Sequence, residues 1–265
     1  MGEQVIYVYG IVPAGVDATS APPGIDGTRV FLEREGDVAA LVSELAAADY
    51  RSDAVEAHSG NVEWVGPRAV AHDAVLTWAS DSGPVVPLPI FTFFHDTGGV
   101  DAMLSGRARE LRVLLERLAS AQEFGVRVFR IDAELAEHIA ELSPTIGELE
   151  ESARRASPGQ RYLLERKAQN ERTTEMRRVG ADVARAVYQA LDVCALESVS
   201  EALPAQENNK GAGTAVLNAY FLVRRDALDA FRATLTALAE RYQSRGFRFD
   251  FTGPWPPYHF AGTRT

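Results

Sequence analysis

Residues 123–131 read EFGVRVFRI, with Phe124, Val126, Val128 and Arg130 alternating against Gly125, Arg127 and Phe129. Period two over nine residues is the mark of a half-buried strand. The elements after this strand decide the fold. Helical periodicity occupies residues 133–142 and 146–156, and a long helix runs over residues 160–191. Two strands come next, at residues 194–203 and 214–224, around the turn-rich AQENNKGAG. A helix over residues 226–244 shows Leu228, Phe231, Leu235 and Leu238 on one face and ends at Gly246 as a C-cap. The last strand spans residues 247–252, where Phe247, Phe249 and Phe251 alternate with Arg248, Asp250 and Thr252. Strand, helices, strand, strand, helix, strand is a βαββαβ ferredoxin-like unit with an enlarged first crossover. Its four strands are expected to form one antiparallel sheet, with the long helix and the 226–244 helix on one face.

Upstream, residues 4–12 (QVIYVYGIV) read as a buried strand that stops at Pro13. Strands at residues 28–34 and 38–45 are joined by the hairpin turn Glu35-Gly36-Asp37. A helix over residues 54–79 places Val62, Val65, Ala69, Val70, Val75 and Trp78 on one side, with a break at Pro67. Residues 84–94 return to strand, and residues 100–119 form an amphipathic helix. The expected architecture is therefore α+β in two domains. Residues 1–122 make a smaller α/β sandwich, and residues 123–265 make the ferredoxin-like domain with its long helix and C-terminal hook.

The hook is residues 249–260, FDFTGPWPPYHF. Proline lacks an amide and fixes φ, so Pro254, Pro256 and Pro257 stop helix and central strand alike. Trp255 and Tyr258 then form a lid on the molecule's own core. Trp255 and one of Phe249 and Phe251 are expected to be buried, with Pro256-Pro257 crossing the surface between the domains.

Composition sets limits. Of 265 residues, 46% are hydrophobic and 24% charged, enough apolar material for a real core. A net charge of −10 opposes general nucleic-acid binding. One cysteine, Cys194, excludes an internal disulfide framework and fits a reducing cytoplasm. The start, MGEQVIYVYG, lacks a basic leader with an apolar stretch behind it, and the most apolar run, VVPLPIFTFF, is too short to span a bilayer. A cytoplasmic protein without membrane contact is expected.

No catalytic motif is found. The histidines His58, His72, His95, His138 and His259 never lie three or four residues apart, so no helical metal pair is expected. Gly211-Ala212-Gly213 leads into a strand, whereas a phosphate-cradling loop leads into a helix. Neither catalytic residues, metal nor cofactor is expected.

One segment stands apart. Residues 154–185 carry nine Arg or Lys against four Asp or Glu, a local charge of +5, which leaves about −15 on the rest. From Met176 onward, Met176, Val179, Val183, Val187 and Leu191 form a core stripe. The preceding turn, QNERTTE (residues 169–175), has no apolar side chain and is expected to stand clear of the core. Such a stretch is most simply a solubilising face. Its other uses are contact with RNA phosphates or docking onto an acidic protein. Aromatics are not interleaved with the cations as base stacking requires, which favours protein, with Arg161, Arg166, Lys167 and Arg172 as the candidate contacts.

Three stretches together resemble the gas vesicle protein L/F family: YVYGIVP (residues 7–13), GQRYLLERK (159–167) and FTGPWPPYHF (251–260). Val70-Ala71-His72-Asp73 and Val86-Pro87-Leu88 fall in order between them. The resemblance implies two α/β domains and a non-enzymatic accessory protein of gas vesicles. It further implies partners among the small hydrophobic shell protein and other accessory proteins, and a place at the vesicle in the cytoplasm. In one place the chain departs from the family. Where the family usually has Pro-Leu-Arg-Phe-Gly-Thr, this chain has Pro87-Leu88-Pro89-Ile90-Phe91-Thr92. The competing reading is an RNA-binding or regulatory protein. It requires aromatics displayed on two central strands, and of Tyr220 and Phe221 only one can face outward.

Overall fold

The computed structural model describes residues 4–50, 52–203 and 213–262, and most of the AQENNKGAG turn lies outside them. The chain is a mixed α+β fold that divides into two compact units, Met1–Glu123 with Pro254–Thr265, and Phe124–Gly253. The hook, assigned from sequence to the C-terminal domain, is divided: Pro254 onward groups with the first unit, and residues 249–253 stay with the second.

The first unit holds strands β1 (Gln4–Pro13), β2 (Phe31–Glu35) and β3 (Val38–Ala46), helices α1 (Ala47–Tyr50), α2 (Ser52–His58) and α3 (Val62–Ser82), the two-residue strands β4 (Val86–Pro87) and β5 (Phe93–Phe94), and α4 (Thr97–Leu118). The sheet order is β2-β3-β1-β4, with β5 also on β1, and these pairings are antiparallel. Central strand β1 is buried on both faces, which is why it reads as an unbroken apolar run. Its register shifts between Val8 and Gly10. A Cβ at Gly10 would sit 2.9 Å from both Leu76 Cδ2 and the Val86 carbonyl, so only glycine admits this close approach.

Two expectations change here. Helix α3 runs straight through Pro67, and its buried residues are His72, Val75, Leu76 and Ala79. Val62 and Val70, read from sequence as sharing one side with Val75 and Trp78, are 81% and 71% exposed. Packing against the sheet, not the apolar pattern of the first turns, chooses the buried face. Residues 84–94, expected to be one strand, form two two-residue strands, β4 and β5, with single backbone bonds to β1 at Leu88 and Thr92 beside them. Pro87 and Pro89 supply no amides to a ladder. Phe91 has φ 66°, a left-handed conformation that favours glycine. It stands at the glycine position of the Pro-Leu-Arg-Phe-Gly-Thr motif of the resembled family, with a bulky residue in its place. Contacts hold it there: its amide donates to Tyr7 Oη at 3.2 Å, and its ring lies 5.3 Å from Trp64.

The second unit holds β6 (Ala121–Arg130), α5 (Asp132–Leu142), α6 (Pro144–Arg155), α7 (Pro158–Asp192), β7 (Glu197–Ser200), β8 (Thr214–Arg224), α8 (Leu228–Gln243) and β9 (Phe247–Trp255). Its sheet order is β7-β8-β6-β9. Alternate residues of β6 and β8 (Phe124, Val126 and Val128; Leu217, Ala219, Phe221 and Val223) meet Val179, Val183, Val187 and Leu191 of α7 and Phe231 and Leu235 of α8 in one core. Gly246, expected as the C-cap of α8, lies two residues past the actual cap, Ser244; it has φ 87°, and a Cβ there would lie 2.3 Å from the Leu135 amide nitrogen, so the position is confined to glycine twice over. Strand β7 is shorter than expected, and Cys194 precedes it, half-buried against the core. Strand β9 runs on through Pro254 to Trp255, which an edge strand tolerates because one side needs no amide donors.

Candidate functional site: the outer face of helix α7

Helix α7 has 35 residues, about 52 Å at 1.5 Å each. Its second half is pinned by the core stripe. Its first half is pinned on one side only. Taking 100° per residue, Arg161, Leu164, Ala168 and Arg172 share a side that continues the core stripe backwards. On that side α5 and α6 pack against α7, and Ala168 is 4% exposed. Arg161 Nε donates to the Ala153 carbonyl at 3.2 Å. Arg172 bonds Glu150 at 2.9 Å and the Ala136 carbonyl at 3.1 Å. These two arginines, candidate docking residues from sequence, are engaged in stapling α7 to its neighbours.

The QNERTTE turn does not stand wholly clear. Its last residue, Glu175, is 8% exposed. It accepts from Arg178 at 2.7 Å and from Ser143, the N-cap of α6. The Arg178 guanidinium, helped by the Ser143 hydroxyl, holds the Glu175 carboxyl below the usual carboxylate range. Gln169, Asn170, Thr173 and Thr174 of the same turn are exposed.

The opposite side of the first half carries Gly159, Tyr162, Leu163, Arg166 and Asn170, with Lys167 at its margin. Tyr162 and Leu163 are 61% and 65% exposed. Arg166 and Lys167 are exposed and make no hydrogen bond or ion pair with the described residues. Of the four candidate cations, the structure leaves these two free beside two uncovered apolar side chains. Sequence reading missed Tyr162 and Leu163. The signal was present, because extending the Met176–Leu191 stripe backward in steps of three and four lands on Arg172, Ala168 and Arg161 and leaves both off it.

The hook behaves differently. Trp255, expected to be buried, is 41% exposed, as is Tyr258, while Pro256, Pro257 and Phe260 are buried. The lid is thus formed by the prolines and Phe260, because strand β9 carries Trp255 out along a sheet edge. Tyr258 Oη donates to Asp73 at 2.6 Å. Glu123, 1% exposed, accepts from the His259 amide at 3.0 Å and lies 2.6 Å from His259 Nδ1. Arg117 donates to the Phe260 carbonyl. Phe251, on β9, is 38% exposed and stacks on Phe124 at 5.3 Å; Phe249 is half-buried.

Among the described residues no group of histidine, cysteine or carboxylate side chains is placed to hold a metal ion. His58 ends α2 and stacks on Trp64, while His72 lies buried with Nδ1 2.6 Å from Tyr7 Oη. No described helix is long and apolar enough to cross a membrane. For RNA stacking, Phe221 is fully buried, Tyr220 is half-buried, and Phe129 lies under the Arg248 guanidinium at 4.3 Å.

Fold and surface describe a mixed α+β scaffold that presents a cationic helix. A family model described as "Gas vesicle synthesis protein GvpL/GvpF" matches residues 5–262, and the chain belongs to this family. It is 31% identical to Gas vesicle protein L of a Streptomyces species, over 98% of this chain and 94% of that one. It is 27% identical to Gas vesicle protein F2 of Halobacterium salinarum, with the same coverage of 98% and 94%. The crystal structure of GvpF from Anabaena superposes with a TM-score of 0.68 at 20% identity, covering 99% of this chain and 98% of that one. GvpF from Microcystis aeruginosa gives 0.66 at 17% identity, over 98% and 99%. The family places the protein in a gas-vesicle-related role.

Proposed function

We propose that the protein is a non-enzymatic assembly or structural component of gas vesicles that acts in the cytoplasm at the growing vesicle. It binds the small hydrophobic shell protein, or an accessory protein bound to it, through the outer face of α7. The observation that carries this reading is the pairing of free cations, Arg166 and Lys167, with uncovered Tyr162 and Leu163 on a helix whose other side packs against α5 and α6. A shell subunit rich in apolar surface needs factors that hold it or start its polymerisation, and these need docking surfaces more than active sites. Order and packing in Phe124–Gly253 support reading that unit as ferredoxin-like with an enlarged crossover, and the other unit as a smaller α/β sandwich.

The test is Arg166→Glu with Lys167→Glu. The doubly changed protein should stay soluble and folded, fail to capture the shell protein in a pull-down, and fail to support vesicles in cells that accumulate it. Undiminished capture would remove α7 as the docking site. Salt-sensitive RNA binding by the wild type, lost in the variant, would transfer the site to nucleic acid.

A further inference from the structure

The two sides of the first half of α7 offer the same chemistry, yet only one is covered. On the covered side the small side chain of Ala168 lets α6 approach, and Arg172 reaches a carboxylate, Glu150. The covering elements are helices, and α5 (DAELAEHIAEL) carries four carboxylates and no Lys or Arg. On the uncovered side Gly159, Tyr162, Leu163, Arg166 and Asn170 keep a spacing of three and four residues, the seam along which one helix packs another. Nothing lies within 4 Å of a Cβ built on Gly159, so that end of the seam is open. Tyr162 and Leu163 supply the apolar centre. Arg166 and Lys167 supply charge that no described residue neutralises.

We propose that this face is a seat for one amphipathic helix of a partner protein, its apolar stripe on Tyr162 and Leu163 and its flanking Asp or Glu side chains against Arg166 and Lys167. The proposal rests on the docking reading above for its location and adds the secondary structure and charge of what docks. An extended or disordered acidic segment would use the cations and leave the two apolar side chains in water. A helix with acidic flanks uses both, as α5 and α6 do on the far side.

The probe is a fluorescein-labelled peptide of about 20 residues, long enough to form a helix by itself, with leucine at helical spacing and glutamate beside it. One control has the same composition scrambled to destroy the stripe, and another has lysine for glutamate. Anisotropy with the whole purified chain should show binding of the first peptide only. Arg166→Glu with Lys167→Glu should weaken it about tenfold or more, and Tyr162→Ala with Leu163→Ala about tenfold. Should the charge reversals disturb folding, Arg166→Ala with Lys167→Ala replaces them. Equal binding of the scrambled peptide, indifference to the Tyr162 and Leu163 changes, or no binding overturns the proposal. Pull-down of the shell protein with the same variants separates the two claims. Capture that depends on Arg166 and Lys167, alongside an ignored helical peptide, sinks the helix seat and leaves the docking site standing. Capture that ignores these residues, alongside peptide binding that needs them, does the reverse.

Discussion

Residues 251–260 and residues 159–167 are the two most distinctive stretches of the molecule, and they treat their polar atoms in opposite ways. In the hook, the Tyr258 hydroxyl, the His259 amide and imidazole and the Phe260 carbonyl each meet a partner on α3, α4 or Glu123. In the helix, the Arg161 guanidinium on the packed side is bonded, while Arg166 and Lys167, facing outward, make no bond with the described residues. Paired, buried polar atoms fix a conformation, because leaving any one unpaired costs about 1–3 kcal/mol. Unpaired exposed cations fix nothing and are free to meet something else. The hook is built to hold the molecule, and the outer face of α7 is built to be met.

The sharpest way to break this contrast is to empty the hook's anchor. Phe260→Ala removes a side chain only 2% exposed, and a cavity of that kind should cost about 3–5 kcal/mol in denaturant unfolding. An unchanged midpoint would mean that the hook is not a clasp.

The next test lies one residue along α3 from the hook's Asp73. Burial pushes the His72 imidazole down from 6.5 to about 4, so it is neutral in the folded chain. A folded value below the unfolded one means that stability is complete above about pH 6.5. It is lost as pH falls toward 4, by roughly 3 kcal/mol across that window. His72→Gln should remove this part of the slope in a pH series of melts, and an unaltered slope would contradict the assignment.

A smaller effect is expected where the hook is exposed. Trp255→Ala should cost below about 2 kcal/mol, because much of the ring already lies in water. A loss as large as that of Phe260→Ala would restore the lid role read from sequence. The smallest effect belongs to the helix. Arg166→Glu with Lys167→Glu should change stability by under about 1 kcal/mol in a thermal melt while weakening association. A large drop in stability would move the pair to the structural side of the contrast.

The sequence made the second unit readable almost element by element, since its strands alternate and its helices carry single apolar stripes. The first unit was less legible. The Val62 and Val70 pattern on α3 pointed outward, and the 84–94 run looked like one strand because its apolar content hid the effect of missing proline amides. At the candidate site, the cations were visible as a charge excess, but which of them were free was not. That depended on the Ala153 and Ala136 carbonyls and the Glu150 carboxylate, supplied by neighbouring helices whose orientation no spacing rule specifies. For Trp255 the error was of another kind. Large aromatics are usually inside, and this one rides the end of an edge strand.

Because Pro254–Thr265 group with Met1–Glu123, the first unit is interrupted in the chain by residues 124–253. A ribosome adding about 5–20 residues per second needs roughly ten seconds to make that interval. During it, Glu123 is a carboxylate waiting for His259, and the apolar site for Phe260 stands vacant. A chain cut short anywhere before residue 260 carries that vacancy permanently, an exposed flaw by which quality-control proteases and chaperones can tell an unfinished copy from a finished one. The clasp thus dates the molecule as well as closing it: until Phe260 has been made, the first unit lacks its own anchor.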